Sequence, residues 1–159
     1  MPLAETVTDM GIVHKERANV KKKVLFICTH NAARSQMAEG FMRDLYNSRF
    51  EAYSAGTEPT RVHPCAIIVM REAGIDISTY HSKSLEEFDE RQFDYVVTLC
   101  ADAEESCPIF IGGNTYLHYA FDDPAQVKEA ATETDVCSQF RTVRDQLRAW
   151  IDATFGTAE

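Results

Sequence analysis

The chain has 159 residues and a net charge of −9, from 16 basic against 25 acidic side chains. That balance, with a pI near 5.0, argues against nucleic acid or an anionic membrane surface as partner. The length suits one domain with a real core. No apolar run exceeds about five residues, against the roughly 20 that a membrane-crossing helix needs. The N-terminal segment has no apolar signal core, so a cytoplasmic protein is expected. Five cysteines, an odd number, favour catalytic or redox roles over a structural disulfide framework. No Cys-x2-Cys pair or Cys/His cluster stands at zinc spacing, and no metal is expected.

Residues 1–20 mix charges and small side chains without a period. They are expected to form a loosely ordered extension, with the domain itself over 21–159. Lys21-Lys22-Lys23 reads as a solvated strand edge. A first strand is expected over Val24–Cys28, then a helix over Ser35–Tyr46, where Met37, Ala38, Phe41, Met42 and Leu45 recur at helical spacing. Phe50–Ser54 reads as a second strand, closed by Ala55-Gly56-Thr57. Pro64 suits a first helical turn. Ala66, Ile67, Met70 and Ala73 then share a face, and Gly74 stops that helix. Ser84–Arg91 reads as another helix, Asp94–Cys100 as a third buried strand and Thr115–Ala120 as a shorter fourth. The last helix, Glu133–Phe155, carries Val136, Phe140, Val143, Leu147, Trp150 and Ile151 on one stripe. This alternation predicts a single α/β domain, a four-stranded parallel sheet flanked by helices on both faces. Ligands of such sheets bind beyond the carboxyl ends of the strands. Cys28, Cys100 and the segment after Ala120 all fall at such ends.

The first of those ends carries the chemistry. Cys28-Thr29-His30-Asn31-Ala32-Ala33-Arg34-Ser35 spans a strand-to-helix turn. Cys-x5-Arg is weak as a spacing, but here a buried strand precedes it and a helix follows. The loop then hangs over a helix N-terminus, whose unpaired N–H groups and positive dipole end face an anion. The amides from Thr29 to Ala33 can form a nest, and Arg34 can add a bidentate guanidinium fork. The same field favours a thiolate at Cys28, making it a nucleophile beneath a bound oxyanion. Ser35 can donate a hydrogen bond to that sulfur or cap the helix. The simpler alternative is a core cysteine that ends a strand, with a surface arginine nearby.

A phosphatase on this loop needs one thiol and one acid, whereas a reductase must also supply two electrons by oxidising a pair of thiols. Cys100 ends a strand on the same edge of the sheet, and Cys107 follows in a polar stretch. Cys65 and Cys137, each inside a helix, read as packing residues. Displacing oxygen also needs a proton donor. Asp123, directly before Pro124, is chosen over Asp122 for that role, the alternative being a helix N-cap aspartate. His30 contributes its amide rather than its ring, and His63 starts a helix. No His–carboxylate relay for activating a nucleophile is evident.

The stretch Val24-Leu-Phe-Ile-Cys-Thr-His-Asn-Ala-Ala-Arg-Ser-Gln-Met-Ala-Glu-Gly40 resembles the active-site loop of the thioredoxin-coupled arsenate reductases. These share the fold of the low-molecular-weight protein tyrosine phosphatases. The resemblance runs on through Tyr53–Thr57, Gly74–Ser78, Val96–Cys100 and Phe121–Ala125, and covers about residues 22 to 152. It implies that Cys28 attacks arsenate held by the loop amides and Arg34, while Asp123 protonates the leaving oxygen. Cys100 would then attack the Cys28 sulfur, and Cys107 would move the disulfide to Cys100–Cys107 by rearrangement of residues 101–107. Reduced thioredoxin or a similar thiol donor would restore the enzyme, with no bound cofactor. Asn31 would brace the loop and Ser35 would stabilise the thiolate. Phosphate and sulfate would compete, and a monomer is expected. Some members carry another cysteine where this chain has Ala33, outside the relay. Some hold potassium with residues matching Asn31, Glu39, Ser54 and an aspartate. The aspartate position is Lys83 here, whose ammonium can stand in for the cation. The rival is a phosphatase of the same fold, but Ala125 lies where phosphatases place an aromatic that packs on the substrate ring. A non-catalytic oxyanion-binding or redox-sensing module is a further alternative.

Overall fold

A computed structural model describes residues 20–101, 110–126 and 133–156. Cys107 and all but the last residue of the 1–20 extension lie outside them, as do residues 102–107 of the segment expected to rearrange. The strands and α-helices run in the order β1 (Lys22–Cys28), α1 (Arg34–Leu45), β2 (Phe50–Gly56), α2 (Pro64–Glu72), β3 (Phe93–Thr98), β4 (Gly113–His118) and α3 (Glu133–Phe155). The sheet is wholly parallel in the order β2-β1-β3-β4. The chain leaves β1 for β2 on one side and later returns to β3 on the other. The crevice of an open α/β sheet opens at such a reversal of strand order. It falls here beyond Cys28 and Leu99.

After the exposed Lys22 and Lys23, β1 is an unbroken apolar run from Val24 to Cys28, because it is central and buried on both faces. Val24 and Phe26 join the main core beneath all three α-helices. Leu25 and Ile27 face a smaller core with Ala55, Phe88, Phe93, Val96 and Phe110. That second face is covered by a short 3-10 helix, Leu85–Phe88, rather than by the longer helix expected over Ser84–Arg91. Only Leu85 and Phe88 in this stretch are apolar and inward, and a three-residue repeat brings both onto the sheet. Ser84 and Glu87 close a capping box at its start. Glu90 at φ 70° ends it. At the other end of the earlier connection, Gly74 takes φ +85° and Ile75 N–H bonds the Met70 carbonyl at 2.9 Å, a left-handed stop that glycine makes without strain.

Cys65 and Cys137 correct the sequence reading. Both are buried in the main core, but they form a disulfide, with Cα atoms 5.2 Å apart and a sequence separation of 72. The pair arises because α2 and α3 lie side by side, the first turn of α2 against the second turn of α3, which no sequence spacing reveals. Closing so long a loop restricts the unfolded chain by ~4 kcal/mol in the chain-entropy account. The far end of the same seam is tied by charge. Glu72 accepts three bonds from Arg141, at 2.8, 2.9 and 3.2 Å, and one from Arg144 at 2.9 Å. The Arg141 hydrogen bond, then that of Arg144, holds its carboxyl down at about 2.

A lowered carboxyl pKa stabilises the fold above the ordinary glutamate value, and the gain is lost as pH falls through the folded value. Thermal melts of wild type and Glu72→Gln should therefore differ by a constant amount above about pH 5.5. The gap should close as pH approaches 2. A gap that stays constant down to pH 3 would remove this tie from the account.

Candidate active site

Asn31, midway round the loop, has φ 51°, a left-handed conformation that asparagine tolerates better than most residues. Five bonds hold it there. Its Oδ1 accepts from Gln36 Nε2 and from the Lys83 amide, each at 2.8 Å. Its carbonyl accepts from Ser82 Oγ at 2.8 Å and from Gln36 at 3.1 Å. Its Nδ2 donates to Ser35 Oγ at 2.6 Å. Ser35 Oγ in turn lies 2.9 Å from Cys28 Sγ. A thiolate can only accept, so with Cys28 ionised Ser35 is the donor. Ser35 thus serves the sulfur and not the helix end, where Ala33 is the N-cap and no side chain caps.

The loop carbonyls are anchored outward. Thr29 O accepts from Glu58 N at 2.9 Å, His30 O from Thr60 N at 3.2 Å and Ala32 O from His63 N at 2.9 Å. In a planar trans peptide the N–H points opposite to its C=O. Anchoring these carbonyls, and that of Asn31, therefore turns the amides of His30, Asn31, Ala32 and Ala33 the other way. Together with the uncapped start of α1 this makes a concave set of donors suited to an oxyanion. His30 contributes an amide as expected, while its ring lies 3.7 Å from Glu58 at the exposed rim. Gly56, the last residue of β2, lets the strand approach this closely: a Cβ there would sit 2.5 Å from Thr29 O and 2.9 Å from Asn31 N.

Arg34, 2 % exposed, gathers the remaining strand ends. Its Nη1 donates to Phe121 O at 3.2 Å and, more weakly, to Leu99 O at 3.4 Å. Its Nη2 lies 3.6 Å from Asp123 Oδ2. Leu99 also donates to Ile27 O at 2.9 Å, so Cys28 and Cys100, each the next residue, leave the sheet on neighbouring strands. Both are buried. Asp123 Oδ1 accepts from Ala125 N at 3.0 Å. The cap role and the position beside Arg34 are therefore held at once, by different oxygens. Asp122 is exposed. His63 starts α2, accepting from Cys65 N at Nδ1, which leaves its proton on Nε2. Burial pushes its pKa down, partly offset by the Asp123 carboxylate.

Behind the loop, Glu39 is buried and accepts from Ser54 Oγ at 2.5 Å. Arg43 approaches it at 2.9 Å and the Lys83 ammonium at 3.6 Å. Lys83 thus brings a positive charge to Glu39 and its amide to Asn31. Gln36 and Ser82, which fix Asn31, were not found by sequence reasoning. Gln36 lies in the first helical turn, where its polarity reads as solvent-facing, and Ser82 in an unpatterned connection.

Residues 23–153 match the model of the low molecular weight phosphotyrosine protein phosphatases, and the chain belongs to that family. Within it the chain is similar to arsenate reductases. Arsenate reductase 2 of Staphylococcus saprophyticus is 43 % identical over 127 residues, 80 % of this chain and 91 % of that one. A solved arsenate reductase in the phosphate binding state superposes with a TM-score of 0.72 at 34 % identity, over 87 % of this chain and 99 % of that one. A thioredoxin-dependent arsenate reductase of Corynebacterium glutamicum gives 0.61 at 27 % identity, over 88 % of this chain and 65 % of that one.

Gly56→Ala should push a methyl group into the loop backbone. The expected cost is about 1–3 kcal/mol of stability, read by urea unfolding, together with weaker binding of inorganic phosphate in calorimetry. Unchanged phosphate affinity would mean that the β2 end does not shape the loop.

Proposed function

We propose that the protein is an arsenate reductase that passes two electrons through Cys28, Cys100 and Cys107. The observation that supports this most is the placing of two buried cysteines on neighbouring strand ends, beside a buried arginine bonded to the segments that follow β3 and β4. Arsenate sits in the loop amides and against Arg34. The Cys28 thiolate attacks arsenic, and Asp123 protonates the departing oxygen, which leaves as water. Cys100 then attacks the Cys28 sulfur. The arsenic–sulfur electron pair returns to arsenic, which leaves as arsenite, and a Cys28–Cys100 disulfide remains. Cys107 attacks Cys100, frees Cys28 as thiolate and closes Cys100–Cys107. Thioredoxin, or a similar dithiol, reduces that bond by exchange. Two thiols are oxidised for each As(V) reduced to As(III), so the electrons balance without a bound cofactor.

On this reading residues 21–159 are the catalytic domain, 1–20 an extension, and the enzyme works as a cytoplasmic monomer. The phosphatase rival has the loop and Asp123 in its favour, but Ala125, exposed beside the acid, offers a substrate ring nothing to pack on.

Purified protein given arsenate, thioredoxin, thioredoxin reductase and NADPH should consume NADPH, and Cys100→Ser should not. Equal consumption by both, or none by either while an aryl phosphate is hydrolysed quickly, would overturn the reductase. Asp123→Asn should lower kcat by about 10²–10⁴-fold with little change in KM, as expected for loss of a general acid. The wild-type rate should be the same in sodium and potassium chloride, because Lys83 already supplies a cation to Glu39; strong potassium activation would contradict that role.

A further inference from the structure

Beside the active site, the start of α2 is joined to the start of α3 at two adjacent points, and the reaction above uses neither. One is the Cys65–Cys137 disulfide. The other is the His63 ring lying on Phe140, with centroids 4.5 Å apart, two residues before Cys65 and three after Cys137. This double tie touches the catalytic machinery from both sides. On the α2 side, His63 N–H holds the Ala32 carbonyl of the oxyanion loop at 2.9 Å, and its Nδ1 accepts from Cys65 N at 3.0 Å. On the α3 side, the short 3-10 helix Pro124–Gln126, which directly follows Asp123, packs on α3. The place of Asp123 beside Arg34 thus depends on how firmly α3 sits against α2.

We propose that Cys65 and Cys137 are a second redox pair, separate from Cys28, Cys100 and Cys107, whose closed disulfide clamps the α2–α3 seam and so positions Asp123 over the oxyanion loop. The inference rests on the catalytic reading of Asp123 and extends it. The pair closes by exchange with a low-molecular-weight disulfide. The two thiols give up two electrons and two protons, and the small disulfide is reduced to two thiols. Both cysteines are only 4 % exposed. Reduction needs an attacking thiolate in line with the S–S bond, which a protein dithiol cannot bring into this seam. Thioredoxin therefore turns over the relay and leaves the clamp closed, whereas a small reductant can open it when the seam breathes.

The test uses the full chain. Wild type is incubated with thioredoxin, thioredoxin reductase and NADPH, alkylated under denaturing conditions and mapped by peptide mass spectrometry. The Cys65–Cys137 crosslink should persist while the other three cysteines are alkylated. In Cys65→Val/Cys137→Val, kcat for arsenite release should fall about tenfold, the order expected when a catalytic group is slightly misplaced. KM for arsenate and the affinity for inorganic phosphate should stay within about twofold, because three of the four anchored loop carbonyls, those of Thr29, His30 and Asn31, are held by residues outside the seam. Alkylation of both cysteines in wild type, a wild-type kcat in the variant, or a raised KM at unchanged kcat would each overturn the proposal. Should the variant not fold, wild type opened with a small phosphine and desalted without air replaces it: kcat must fall in step with loss of the crosslinked peptide, and an unchanged kcat after full opening is fatal. Failure of the reductase reading looks different, since wild type itself then releases no arsenite. Hydrolysis of p-nitrophenyl phosphate, which also draws its proton from Asp123, then carries the same comparison.

Discussion

The site depends on one buried cation. Arg34 begins α1 at 2 % exposure, and a guanidinium taken out of water must find partners. It finds them on two other segments: the carbonyl of Leu99 past β3, and the carbonyl of Phe121 with the carboxylate of Asp123 past β4. Each segment brings one chemical group with it. Leu99 brings Cys100, the next residue, and Phe121 brings the acid two residues on. Cys28 arrives by covalent connection, six residues before the arginine. One side chain therefore gathers three strand ends, which the proposed reaction uses as a single centre, and its positive charge suits an oxyanion. Lysine would keep the charge but lose the planar fork that serves two carbonyls and a carboxylate together.

The loop around that cation is held from outside. An anion cradle needs its amides turned inward before the ligand arrives, since reorganising them on binding would weaken it. The strap at residues 58–63 takes three of the loop carbonyls, and Gln36 with Ser82 takes the fourth. Asn31 in its left-handed conformation is the hinge of this arrangement. Its side chain also carries the network to Ser35 and so to the Cys28 sulfur, which makes nucleophile and cradle one hydrogen-bonded unit. Glu39, Ser54 and Lys83 form a second layer behind it.

Much of this was legible in the sequence, for physical reasons that differ from residue to residue. β1 and α1 could be read because a two-face buried strand and an amphipathic helix write their periods plainly. That Cys28, Arg34 and Asp123 would lie at neighbouring strand ends could be read because each falls just past a strand of a parallel sheet. The helix expected over Ser84–Arg91 shrank to one 3-10 turn because two apolar residues three apart are not enough to hold a longer one on the sheet. Gln36 and Ser82 were invisible: they act through single bonds to a backbone whose shape is set by the tertiary fold. The Cys65–Cys137 bond was invisible for a related reason, since it depends on two helices distant in sequence packing side by side.

Arsenate reduction differs from phosphate transfer in one respect that the fold must serve: a second thiol has to reach the nucleophilic sulfur. Leu99 bonded to Ile27 places Cys100 on the strand end next to Cys28, so the account requires that these two sulfurs join when arsenite leaves. A single turnover by Cys107→Ser, quenched in acid and mapped by mass spectrometry, tests this directly. The account predicts one arsenite released per protein and a Cys28–Cys100 crosslink in equal amount. Arsenite release with Cys100 recovered as a free thiol would contradict it.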